Sequence, residues 1–146
     1  MIEINNLTGH PLACLAVDKK FFTGVAKIVL KGETRVREKI SLAFVNKEEI
    51  KKLNKKFRGK NKPTDVLSFG SIPNSKFQIP NSDYLGEIVI CPEIVKENGE
   101  KLARVLIHGI LHLLGYEHEK NKKQAKLMEE REKKYLSAII KNFNER

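Results

Sequence analysis

Three histidines, His108, His112 and His118, are the residues whose type and spacing could do chemistry in this chain. If the first two lie on a helix, their four-residue separation puts both imidazoles on one side, about 6 Å apart along the axis. Two rings so placed can converge on one ion. Gly115 stands where a helix can end in a left-handed residue, turning the chain so that His118 returns to the same point. An imidazole buried without a partner is costly, and one metal ion satisfies three while a fourth position stays open for water or substrate. A lone core histidine is ordinarily just hydrogen-bonded. Three in one HxxxHxxGxxH frame are read as metal ligands. Three neutral imidazoles suit zinc, although nickel or copper accept the same set. His10, alone in the turn-like TGHP, is read as a surface histidine.

The frame is similar to the HExxHxxGxxH of zinc proteases, in which the glutamate beside the first histidine is the general base. Here that position is Gly109. Without a carboxylate there, peptide hydrolysis by that route loses its base, so a protease ranks third among the readings.

The elements that must position these residues follow from periodicity. Between Leu102 and His118, Val105, Leu106, Ile107, Ile110, Leu111, Leu113 and Leu114 leave almost no polar face, which predicts a buried central helix. Upstream, Ile2 to Asn5 reads as a short strand. Phe22, Val25, Ala26 and Val29 have helical spacing after an Asp18 cap, with Gly32 as the stop. Val36, Ile40, Leu42 and Phe44 have the period of a strand with one buried face. Asn46 caps the next helix with Glu49 reaching back, Ile50, Leu53 and Phe57 form its inner stripe, and Gly59 ends it. Asp65 to Phe69 and Leu85 to Ile90 read as strands separated by a long loop that could border a site. Asn121 to Lys141 predicts an amphipathic helix, with Ala125, Met128, Tyr135 and Ile139 inward and Glu132 breaking the stripe. The sum is an α/β fold: one small mixed sheet of about four strands packed with helices, the central one carrying two of the histidines.

Length and composition agree with one domain, since 146 residues support a hydrophobic core without disulfides. Cys14 and Cys91 lie far apart and are read as small buried side chains. No apolar run reaches the ~20 residues of a membrane span, and the first residues lack a basic segment followed by an apolar one, so the expected location is the cytoplasm. Net charge is +10, concentrated in Lys51 to Lys62, which holds seven basic residues and no acidic one. A second basic cluster runs from Lys120 to Lys126. Phosphate backbone is the natural ligand of such a surface, though a basic face kept for solubility has the same composition.

Two long motifs then carry a resemblance. HGILHLLGYEH resembles the HGxLHLxGYDH signature of the YbeY family, and Leu53 to Phe69, LNKKFRGKNKPTDVLSF, is similar to that family's arginine, basic loop and TDVLSFP. LGEIVI resembles its LGDIxI strand, and the likeness runs along nearly the whole chain. The resemblance implies a zinc-dependent endoribonuclease of ribosomal RNA maturation and ribosome quality control. It implies single-stranded or ribosomal RNA as substrate, with small-subunit ribosomal proteins as further partners, and His108, His112 and His118 as the metal ligands. The family's catalytic arginine matches Arg58. A guanidinium in the densest basic stretch can clamp phosphate bidentately, and Lys55, Lys56, Lys60 and Lys62 would hold RNA backbone. Glu117 and Glu87 stand where the family has aspartates, and Gly70 where it has proline. Glu117 is read as a ligand, as a group that orients a ligand or water, or as an exposed residue beside the turn. The rival to the nuclease is a non-catalytic zinc protein of ribosome assembly; four protein ligands would close its site, whereas three leave a position open.

Overall fold

A computed structural model describes residues 2–9, 18–35, 37–70, 84–117 and 121–144. Among the described residues four strands form one sheet in the order β1-β2-β4-β3: β1 (Ile2–Asn6), β2 (Lys39–Phe44), β3 (Val66–Gly70) and β4 (Tyr84–Ile90). β1, β2 and β4 are parallel, and β3 is an antiparallel edge strand paired with β4. Parallel neighbours need a crossover, and α1 (Lys19–Gly32) supplies it between β1 and β2. The remaining helices are α2 (Lys47–Arg58), α3 (Pro92–Glu97), α4 (Leu102–Leu113) and α5 (Lys122–Asn144).

Local signals set several boundaries. Asp18 accepts from the Lys20 N–H at 2.9 Å, Asn46 from the Glu49 N–H at 2.9 Å, and Asn121 from the Gln124 N–H at 2.8 Å. Each side chain satisfies a donor that the helix start would leave unpaired. Gly59 closes α2 in the left-handed region. α3 went unread in the sequence although Pro92 sits in its first turn, a position where a missing N–H costs nothing.

The sheet is covered on both sides. One face packs Ile40, Leu42, Phe44, Ile88 and Ile90 against α1, α4 and α5. The other packs Val45, Leu67 and Val89 against Ile50 of α2 in a smaller cluster. The expected single buried face of β2 is therefore corrected, since Ala43, between the large side chains, is buried as well. The proposed stripe of α2 is corrected too. Ile50 is fully buried, but Phe57 is 55% exposed and Asn54, not Phe57, is buried, donating to the Lys62 carbonyl at 2.8 Å. At the last turn of α2, Phe57 packs on Phe69 of the edge strand, edge to face at 5.2 Å. Val36, His10, Cys14 and the segment 71–83 lie outside the described residues. Cys91 is fully buried, and burial pushes its thiol up. No helix among the described residues is long and apolar enough to cross a membrane.

Candidate metal centre and anion groove

α4 is held by burial on three sides: Leu106, Ile107, Ile110 and Leu111 are fully buried, while His108 and His112 are half-buried. The side chains of the two histidines converge, with Nε2 of one 2.9 Å from Nε2 of the other. Two nitrogens bound to one tetrahedral zinc stand roughly 3.3 Å apart. The pair is therefore spaced, within a few tenths of an ångström, as two of its ligands would be.

The opposite edge of the His108 ring has a partner on another helix. Nδ1 donates to Oε1 of Glu132 on α5. A carboxylate oxygen accepts, so this contact calls for the proton on Nδ1, the tautomer whose Nε2 lone pair faces His112. The residues present thus suit a borderline-soft divalent ion such as zinc. Among the described residues no three His, Cys, Asp or Glu side chains form a metal cluster. His118 lies outside the described residues.

Its approach can nonetheless be followed to Glu117. α4 gives way after Leu113 to Gly115, whose φ of 102° is the left-handed turn expected there. The next residue is tied down from two elements away: the Tyr116 hydroxyl donates to Oε1 of Glu33 at 2.5 Å, and the Tyr135 hydroxyl donates to Oε2. Burial and the Glu33 carboxylate push both phenols up, so they stay protonated donors. Glu33, just past α1, thereby anchors the turn from which the chain leaves toward position 118.

A groove of about 670 Å³ opens over the histidines. His108, His112 and Glu117 line one side of it, and Arg58, Lys60 and Lys62 line another. Arg58 reaches there from the last residue of α2, its Nη2 donating to the Ser68 carbonyl of the edge strand at 3.3 Å. α2 and α4 lie on opposite faces of the sheet, so the groove wraps the edge of β3 that faces away from β4. Lys55 and Lys56 are exposed on α2 outside the groove wall, with Lys56 Nζ 5.3 Å from the Phe57 ring. Glu87 pairs with Phe69 on the strand pair β3–β4 and shares the face of Val89, across the sheet from the histidines. Behind His108 a smaller cavity of about 130 Å³ is lined by Asp65, Glu100 and Arg104. Burial, and then a hydrogen bond with Asp65, push the Glu100 carboxyl up.

Glu132, Glu33 and Asn54 escaped the sequence reading. An acid on the inner stripe of an otherwise apolar helix face was the available signal for Glu132. Glu33 and Asn54 carried none.

Residues 15–140 match the family described as Endoribonuclease YbeY. Proteins named Endoribonuclease YbeY are 44% identical over 131 residues in Thermodesulfovibrio yellowstonii, covering 84% of this chain and 76% of that protein. The same name is borne by a Pelagibacter ubique protein, 42% identical over 123 residues, 77% of this chain and 79% of that one. A Thermotoga maritima protein solved in solution superposes with a TM-score of 0.64 at 31% identity, covering 99% of this chain and 93% of the other.

Proposed function

The chain belongs to the Endoribonuclease YbeY family, and on that premise we propose that it is a metal-dependent endoribonuclease cleaving single-stranded RNA in the processing of ribosomal RNA in the cytoplasm. One observation carries the reading: the paired imidazoles and the cations Arg58, Lys60 and Lys62 line a single groove. A polyanion laid in that groove meets phosphate-binding charge on one side and a metal-ligand pair on the other.

A zinc ion held by His108, His112 and His118 would supply Lewis acidity at the scissile phosphate, with a fourth position open. The chain's own groups do the rest. Arg58 is steadied by the Ser68 carbonyl, and its other N–H donors clamp a phosphate and stabilise the charge that accumulates in the transition state. Lys60 and Lys62 hold neighbouring phosphates along the strand. The protease alternative loses further ground at Gly109. A Cβ built there stands 3.0 Å from Ile88 Cγ2 and 3.4 Å from Ser68 Oγ, so a glutamate in that position would press on the side chains that join α4 to the sheet.

Cleavage of single-stranded ribosomal RNA by the purified protein, beside a His112→Ala preparation handled identically and with the zinc content of each recorded, tests the proposal. Cleavage and zinc lost together in the variant is the expected result. Equal cleavage by both preparations, or none by either, would instead favour a metal-binding factor of ribosome assembly.

A further inference from the structure

The inner stripe of α5 runs through Met128, Tyr135 and Ile139, each at most 2% exposed, and Glu132 occupies the same stripe at 8%. A carboxylate in an apolar layer loses hydration that a leucine would not need. Arg104 does little to offset this, because its Nε stands 3.9 Å from Oε2 and its side chain is half exposed. Helix packing alone therefore favours an apolar residue at 132. What the acid does instead is accept the Nδ1 proton of His108.

Free imidazole divides its proton between the two nitrogens, and a ring with the proton on Nε2 would present a donor, not a lone pair, to His112 and to any ion. A carboxylate on Nδ1 removes that alternative, fixes the ring plane and makes Nε2 more basic. Its backbone comes from α5, so the ring is braced from outside α4.

We propose that Glu132 is the positioning residue of the metal centre, holding His108 in the Nδ1–H form with its Nε2 lone pair aimed at the ion. The inference rests on the reading of His108 and His112 as metal ligands. It assigns the C-terminal helix a part in building the site, and it makes metal affinity depend on how α5 is docked.

Two substitutions separate the possibilities. Glu132→Leu removes the acceptor while filling the stripe, and Glu132→Gln keeps an acceptor of the same shape without the charge. Zinc affinity, measured by competition with a chelator, is expected to fall about 10–100-fold in Glu132→Leu and less in Glu132→Gln. In zinc-free protein, nitrogen NMR of the His108 ring is expected to show the Nδ1–H form in the wild type and a loss of that preference in Glu132→Leu. The urea midpoint of zinc-free Glu132→Leu is expected to equal or exceed that of the wild type, a result that a purely structural role for the acid would reverse. Unchanged zinc affinity and an unchanged tautomer in a folded variant overturn the proposal; Glu132→Gln decides the same question if Glu132→Leu does not fold. A wild-type protein that takes up no zinc refutes the ligand reading itself, which distinguishes that failure from this one.

Discussion

Replacing Gly86 by alanine tests how closely the sheet and the metal helix are fitted. Gly86 pairs with Ile40 of β2 and Gly70 of β3, and its φ is 151°. A Cβ there would stand 2.4 Å from the Phe69 carbonyl oxygen and 2.8 Å from Leu113 Cδ2. The first obstacle is backbone and cannot rotate away. The second belongs to the residue after His112, at the last turn of α4. A non-glycine residue in a sparsely populated backbone region costs of order 1–3 kcal/mol, and overpacking adds typically 1–3 kcal/mol. The expected loss is thus about 2–6 kcal/mol from a stability that for domains is ~5–15 kcal/mol. Gly99→Ala is the control, because Gly99 also has positive φ, 69°, with nothing within 4 Å of the added Cβ. Its cost should be the backbone part alone. Urea unfolding of both variants, read as midpoint and slope, gives the comparison. Zinc titration of folded Gly86→Ala should also show weaker binding, since relief of the clash displaces the turn carrying His112. Equal stability losses in the two variants would refute the close-approach argument.

The other predictions concern charge. Arg58→Ala should slow RNA cleavage roughly 10²–10³-fold, with zinc content intact and stability within about 0.5 kcal/mol of wild type, as expected of an exposed side chain. Arg58→Lys should recover only part of the rate, because an ammonium cannot clamp a phosphate bidentately; full cleavage by a zinc-loaded Arg58→Ala protein would remove Arg58 from the mechanism. Glu100 has a folded-state pKa raised above its ordinary 4.5, first by burial and then by Asp65. Between those two values the folded state binds more protons than the unfolded one. The stability this contributes is complete below 4.5 and is lost as pH rises through the raised value. Glu100→Gln should abolish that slope in urea midpoints measured across the acidic to neutral range, and an identical slope in the variant would show that another group titrates.

Much of the fold was legible because its signals are local. Asp18 and Asn46 cap the helices that follow them, Gly59 and Gly115 take left-handed conformations at the ends of α2 and α4, and the runs before and after residues 71–83 form β3 and β4. Each reports a choice the backbone makes within a few residues of itself. The meeting of His108 with His112 was legible in the same way, since four-residue spacing on an apolar helix is enough to bring the two rings together. Phe57 and Asn54 show where such reasoning stops: helical periodicity counts faces but does not know what each face meets, and here the phenylalanine is exposed while the asparagine is buried against the Lys62 carbonyl. Glu132 shows it more sharply. In the sequence it is an interruption of a stripe, and only the docking of α5 on α4 brings it, from 24 residues away, onto the His108 ring. Sequence pattern determined which residues could do chemistry and which elements carry them. The tertiary structure decided which groups from distant elements hold them in place, because hydrogen bonds between packed helices depend on relative position in space, a quantity that no periodicity records.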